Sequence, residues 1–341
     1  MAKQSLAIKY RPKTWDDVSE QTEIKTILKQ QLSNNEIVHG YLFCGPAGCG
    51  KTTAARIFAN EINHGKGNPI ELDAASNNSV EDIRKLIEQA QTQSLESEYK
   101  VFILDEVHML SNSAWNAFLK TLEEPPAKSI FIMATTDPQK IPATILSRAQ
   151  RYNFQRISQQ GIVDRLLYIL QCEFGKNQII GDDIKSIEYL AKLADGGMRD
   201  AITLMDKCLS YSSELTLENV VKALNTVDYA TMFKLTDAIA ISNKLQVVEL
   251  IEDLYNSGKD LKQFVKQYVQ FLLDVEKYYI GCDWKYISLP KLDDYEMWLK
   301  GNDEPQKVIE ILDTVVTLDA NIKYSSIPKY DIEVALLGVC R

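Results

Sequence analysis

An α/β domain with a parallel sheet, followed by two all-helical regions, is the fold class that three features of the sequence predict. Short apolar runs alternate with helix-patterned segments between residues 40 and 136. A glycine-rich loop joins the first of these runs to the first such helix. After about residue 155 the strand-like runs stop, and amphipathic patterns follow one another along the rest of the chain. Strands that alternate with helices imply a parallel sheet covered by helices on both faces.

Taken in order, GYLFC (40–44) is a short apolar strand, and GPAGCGKT leads from it into the helical TTAARIFANEIN. PIELD (69–73) reads as a second strand. Ser79 and Asp82 stand at capping spacing ahead of VEDIRKLIEQAQ, whose periodicity predicts a helix. VFILDE (101–106) and IFIMATT (130–136) are continuous apolar runs, as strands buried on both faces require. GIVDRLLYILQCEFG, DIKSIEYLAKLA, MRDAITLMDKCLSYS and LENVVKALN then form a small helical region. A third region has its clearest piece in LKQFVKQYVQFLLDVEKYYI, where the apolar stripe from Leu261 to Tyr279 reads as core rather than exposed interface. The expected domains are 1–155, 156–227 and 228–341, and a chain of 341 residues is long enough for two or three.

Composition excludes several classes. With 45% hydrophobic and 25% charged residues the chain has the make-up of a soluble globular protein. No apolar run is long enough for a membrane span, and MAKQSLAIKYRPKTW lacks the apolar core of a signal peptide. Cysteines at 44, 49, 172, 208, 282 and 340 show no metal spacing, which suggests reduced thiols and a cytoplasmic protein. His39, His64 and His108 are too few for a histidine-rich metal site. A net charge of −9 gives no overall basic face, so any grip on DNA would need a local patch or an assembly that lines a channel.

The chemistry starts at GPAGCGKT (45–52), which fits G-x-x-x-x-G-K-[ST] between a strand and a helix, the setting of a P-loop. Gly45, Gly48 and Gly50 let backbone N–H groups close around phosphate oxygens, Lys51 meets the β- and γ-phosphates, and Thr52 offers a hydroxyl to Mg²⁺. A glycine-rich turn with an incidental lysine fits that setting much less well. Asp105 and Glu106 end the VFILDE run, where the aspartate can reach the magnesium and the glutamate can act as general base on the attacking water. Standing alone such a pair is usually a solvated strand end; after a P-loop it reads as catalytic. Thr136 ends the next strand, and from spacing alone an ordinary strand threonine fits as well as a hydroxyl that orients water or senses phosphate. Arg148 and Arg199 could each meet the charge of a γ-phosphate transition state. A surface ion pair is the plainer reading of either.

Those residues, in that order, resemble the AAA+ ATPases of sliding-clamp loaders, and among them the gamma/tau subunits of bacterial DNA polymerase III. The resemblance is carried by YRP (10–12), HGYLFCGPAGCGKTT (39–53), ELDAASNNSVEDIR (71–84), DEVHML (105–110), FLKTLEEPP (118–126), ATTDPQKIPATILSR (134–148) and GGMRDA (196–201), over roughly residues 1–225. It implies an AAA+ domain, an all-α lid and an all-α collar that holds a hetero-pentamer of non-identical subunits. The implied cofactors are ATP and Mg²⁺, and the implied partners are other clamp-loader subunits, a ring-shaped clamp and primed DNA, with no membrane. It assigns Lys51, Thr52 and Thr53 to the P-loop, Asp105 to magnesium, Glu106 to the base, Thr136 to sensor 1 and Arg199 to sensor 2. Arg148 would reach the ATP of a neighbouring subunit, and Lys120 matches a lysine of similar trans contact. Arg11 and Val18 fall where the family packs adenine, and Arg84 matches a DNA-contacting arginine, although an exposed helix arginine is as ordinary.

Departures shape the expectation. The family's four-cysteine zinc module is replaced by NEINHGKGNP (60–69), so no zinc is expected. Ser-Arg-Cys reads Ser147–Arg148–Ala149, which keeps the charge, and Asn77 stands where a second DNA-binding arginine is common. Without the long tau extension, the sequence reads as a compact version from a bacterial cell or a virus-infected bacterial host. Two other classes carry overlapping motifs. A branch-migration helicase would turn over ATP without a clamp, and a non-hydrolysing structural subunit would bind ATP without turnover.

Overall fold

The computed structural model describes residues 4–340 except 93, 95, 176–180, 226, 290–292 and 302–304. Strands β1 (Gly40–Cys44), β2 (Ile70–Asp73), β3 (Lys100–Asp105), β4 (Ser129–Thr135) and β5 (Gln150–Asn153) form one sheet in the order β2-β3-β4-β1-β5. Every pairing in it is parallel. Helices α1 (Leu6–Lys9) and α2 (Thr22–Asn34) precede the sheet, and α3 (Lys51–Ile62), α4 (Val80–Gln91), α5 (Asn112–Glu123) and α6 (Ala143–Leu146) follow β1 to β4 in turn. After β5 the described chain is helical: α7 (Gln159–Phe174), α8 (Gly181–Leu193), α9 (Met198–Tyr211), α10 (Leu217–Leu224), α11 (Tyr229–Ala240), α12 (Lys244–Asn256), α13 (Leu261–Tyr279), α14 (Asp293–Gly301), α15 (Pro305–Ile322) and α16 (Pro328–Val339). None of these helices is long and apolar enough to cross a membrane.

Strand side chains alternate faces with a period of two, and here both faces are buried. Tyr41, Phe43, Val101, Ile103, Ile130 and Ile132 pack on one side with Ile57 and Phe58 of α3. Leu42, Phe102, Leu104, Phe131 and Met133 pack on the other with Ile83 and Leu86 of α4 and Phe118 of α5. Continuous apolar runs are the sequence image of that arrangement. Strand β5 differs, because of QRYN only Tyr152 is buried, and it lies outside the four runs that the sequence marks.

Two compact units emerge, one holding Met1–Gln178 and Leu190–Asp206, the other Ile179–Tyr189 and Lys207–Arg341. The sheet belongs to the first. The second has its own core, to which α13 gives Leu261, Phe264, Val265, Tyr268, Leu272 and Val275 as buried residues, with Val269 and Tyr279 partly buried against it. One carboxylate lies inside this core. Asp274 is 1% exposed, and it accepts from Lys277 Nζ at 2.9 Å and from the Ser288 amide at 2.9 Å, as a buried charge must be paired.

Candidate functional site

The loop after β1 is shaped by its glycines. A Cβ on Gly45 would lie 2.4 Å from the Phe154 carbonyl oxygen, so the chain following β5 forbids a side chain there. Gly48 has φ +72°, and a Cβ on it would approach Gly197 Cα to 2.9 Å. Gly50 is the N-cap of α3, so the first-turn N–H groups of that helix, which have no partner within it, face the loop. Lys51 is only 5% exposed, and its ammonium donates to the Gly45 and Pro46 carbonyls, each at 2.8 Å. No carboxylate pairs with it among the described residues. A buried cation held by neutral carbonyls favours an incoming anion.

Asp105 and Glu106 are neighbours in sequence and turn to different duties. The Thr52 hydroxyl donates to Asp105 Oδ2 at 2.7 Å, which brings together two hard oxygen donors of the kind Mg²⁺ prefers. Glu106 takes the left-handed conformation, φ +49°, which is uncommon without glycine, and its amide donates to Asp105 Oδ1 at 3.1 Å. That turn sends the glutamate across to the end of β4. There Oε2 accepts from the Thr136 amide at 3.1 Å and the Thr136 hydroxyl at 2.9 Å.

A cavity of about 280 Å³ opens at this point. Ala47, Gly48, Cys49, Gly50, Lys51, Thr52 and Thr53 line it, together with Asp105, Glu106, Arg199, Arg11 and Val18. Ile157 and Ile202 join Val18 in an apolar lining fit for a purine ring. The first residue of α9 is tied to the loop, since the Met198 amide donates to the Gly48 carbonyl at 3.0 Å; Arg199 follows it. The segment bearing Arg11 is fastened as well. Arg165 donates to the Tyr10 carbonyl at 2.8 Å, and the Tyr10 hydroxyl donates to Glu173 at 2.6 Å. Burial and that carboxylate push the Tyr10 phenol well above its ordinary range.

The remaining candidates lie elsewhere on the first unit. Arg148 makes an ion pair with Glu123 at 2.7 Å and also donates to the Thr144 carbonyl at 2.7 Å and to Ser147 Oγ at 3.0 Å. It is not part of the cavity lining. Lys120 is exposed in the last turn of α5, one turn before Glu123. Arg84 is exposed on α4 and has no ion pair among the described residues.

Several site residues escaped the sequence reading: Tyr10, Arg165, Thr135 and His108. For His108 a signal existed, its place three residues after Asp105 in DEVH. Among the described residues no group of three or more His, Cys, Asp or Glu side chains is set to hold a metal ion. Thr52 and Asp105, joined by their hydrogen bond, are the pair beside the loop that could hold a divalent cation.

Comparison with known proteins adds independent findings. A family model described as DNA polymerase III, delta subunit, matches residues 69–158. The DNA polymerase III subunit tau of Bacillus subtilis is 35% identical over 364 aligned positions, covering 100% of this chain and 64% of that protein. Subunit gamma of Buchnera aphidicola is 30% identical and is covered to 98%, as is this chain. Subunit tau of Escherichia coli is 37% identical over 76% of this chain, which spans 43% of that protein. The chain thus corresponds to less than two thirds of the length of the two tau subunits. Among solved structures, the Thermotoga maritima RuvB Holliday junction branch migration motor superposes with a TM-score of 0.52 at 19% identity, over 67% of this chain and 79% of that one. At that identity the likeness bears on the fold alone, which is an AAA+ domain followed by helical regions.

Proposed function

Because the chain belongs to the DNA polymerase III gamma/tau subunit family, we propose that it is an ATPase motor subunit of a sliding-clamp loader. It uses ATP binding and hydrolysis to open a ring-shaped clamp and load it on primed DNA. The observation that carries this reading is the divergence of two adjacent acids, Asp105 onto the P-loop hydroxyl and Glu106 onto Thr136, beside one cavity. A cation clamp and a base held apart from it are what phosphoryl transfer to water needs.

In this reading the adenine packs by Arg11 and Val18 and the phosphates follow the loop from Gly45 to Thr53. Lys51 exchanges a loop carbonyl for phosphate oxygen. Thr52 and Asp105 would hold Mg²⁺, which would supply charge neutralisation at the phosphates. Glu106 takes the proton of the attacking water, Thr136 keeps its carboxylate aimed, and Arg199 meets the phosphate charge. Arg148 serves the site of a neighbouring subunit, with Lys120 on the same surface; its place outside its own cavity supports this. Arg84 contacts DNA phosphates, a contact that positions without reading sequence. Residues 1–155 form the motor, 156–227 the lid and 228–341 the collar of a hetero-pentamer.

The test mixes two crippled chains, Glu106→Gln and Arg148→Ala, with primed DNA, a clamp and partner subunits. Each alone is expected to lose on the order of 10²-fold or more of its turnover. Mixed oligomers are expected to regain a substantial part, because one chain supplies the arginine and the other the base. Mixed oligomers that stay inactive would remove the trans role of Arg148. Wild-type turnover in Glu106→Gln would remove the reading of the site itself.

A further inference from the structure

The carboxylate of Glu106 has a third neighbour that the nucleotide-site reading leaves without a task. His108 sits in the short turn Val107–Met109 that follows β3, and its side chain is only 12% exposed. Its Nδ1 is 3.1 Å from Thr135 Oγ1 and 3.3 Å from Glu106 Oε2. Thr135 is fully buried, and its hydroxyl oxygen also accepts from the Asp137 amide at 3.0 Å. So the ring is fixed by a side chain that the strand itself holds still.

The chemistry of the contact follows from the charge. A bare nitrogen lone pair 3.3 Å from a carboxylate oxygen is repulsive, whereas a proton on Nδ1 faces that oxygen favourably. Glu106 thereby favours the tautomer with its proton on Nδ1, which donates toward Thr135 Oγ1 and turns the positive end of that N–H dipole toward Oε2. The Thr136 amide and hydroxyl hydrogen-bond Oε2, and His108 Nδ1 lies 3.3 Å from the same oxygen. Oε1 has no hydrogen-bond partner among the described residues. One oxygen of the base is anchored and the other is left for a water proton. The anchoring matters because the Glu106 backbone is in the left-handed region, and nothing in that conformation alone fixes the end of a flexible side chain.

We propose that His108 is a positioning residue for the general base, acting through Glu106 Oε2 and aimed by Thr135. The inference rests on the proposed role of Glu106, and the experiment separates the two. The full chain, in its assembled form with primed DNA, is prepared as His108→Phe, His108→Asn, Glu106→Gln and the double variant Glu106→Gln with His108→Phe. Turnover, ATP affinity and melting temperature are measured for each.

His108→Phe is expected to lower kcat by about ten- to a hundredfold, the scale on which a misplacement of about 1 Å acts, with ATP affinity unchanged. His108→Asn places an N–H near the Nδ1 position and is expected to restore most of that loss. The double variant is expected to be no slower than Glu106→Gln, since a residue that works only through Glu106 has nothing left to position. A merely space-filling histidine would give the opposite order, with phenylalanine tolerated and asparagine worse. That order overturns the proposal, as does a His108→Phe rate at or above wild type, or a double variant clearly slower than Glu106→Gln. If His108→Phe does not fold, Thr135→Val carries the test. It leaves the ring but removes the hydroxyl that aims it, and wild-type kcat in that variant likewise overturns the proposal. Should Glu106→Gln itself turn over like the wild type, this inference falls together with the base assignment on which it rests.

Discussion

Cys49 stands inside the glycine-rich loop, yet the residue is 1% exposed and belongs to the same core cluster as Ala54 and Ala55. Burial pushes the thiol up from its ordinary range, and the nearby Lys51 charge, which pulls it down, is outweighed. The same burial lifts Cys208, to about 11. Only a thiolate alkylates readily, so raising the pKa and closing off access act in the same direction. With iodoacetamide near neutral pH, the exposed Cys172 is expected to react first, and Cys49 and Cys208 only after denaturation. Peptide mapping of the adducts checks this. Labelling of Cys49 as fast as Cys172 would mean that the loop opens away from its core. The loop is thus seated by a buried apolar residue as well as by glycines packed against neighbouring backbone. The motif pattern, in which that position is unspecified, does not reveal this.

The elements that sequence made legible are those whose own residues decide their state. Helix α4 is one. Ser79 Oγ accepts from the Asp82 amide at 3.2 Å and donates to Asp82 Oδ2 at 2.6 Å, so the capping signal at 79–82 is the cap itself. Ser79→Ala is expected to destabilise the chain by about 1 kcal/mol and to lower the melting temperature of its unit by about 2–4 °C, while Ser79→Asp should restore most of it. A thermal melt decides between them. The apolar strands β1, β3 and β4 were legible for a similar reason, since burial on both faces demands an unbroken apolar run. Strand β5 was not. Its QRYN buries one side chain, and it is a strand because Tyr41 to Cys44 of β1 pair with it from more than a hundred residues away. The contacts of the site share that origin. Glu106 meets Thr136, and His108 meets Thr135, because β3 and β4 are neighbours in the order β2-β3-β4-β1-β5. Motif spacing names Asp105, Glu106 and Thr136 but not the strand order that joins them. Nor does it contain the Arg148–Glu123 pair, which links the end of α5 to the turn after α6.

At the scale of the molecule, the division of cores has a thermodynamic consequence. The sheet unit and the helical unit are each built on their own buried clusters, and chains with separate cores commonly depart from two-state unfolding. Every residue lining the candidate nucleotide cavity, from Ala7 to Ile202, falls in the sheet unit. A ligand that binds only the folded form of a unit stabilises that unit by mass action, by about 2.7 kcal/mol at a hundred times its Kd. Calorimetry of the chain is therefore expected to resolve two transitions, of which ATP with Mg²⁺ raises one by several degrees and leaves the other in place. Lys51→Ala, which removes the buried ammonium, is expected to abolish the ATP-dependent rise. The raised transition can be assigned by tyrosine and tryptophan fluorescence. Trp15 and Trp115 lie in the sheet unit and Trp284 and Trp298 in the helical one, so single-tryptophan variants report on each separately. If both transitions move together with ATP, unfolding of the helical unit is coupled to the nucleotide site. The helical unit would then sense the bound state through cooperative stability rather than through contacts at the cavity. If only the Trp15 and Trp115 transition moves, the nucleotide acts on the sheet unit alone, and under the proposed function any signal to a neighbouring subunit leaves through surfaces of that unit, which carries Arg148 and Lys120.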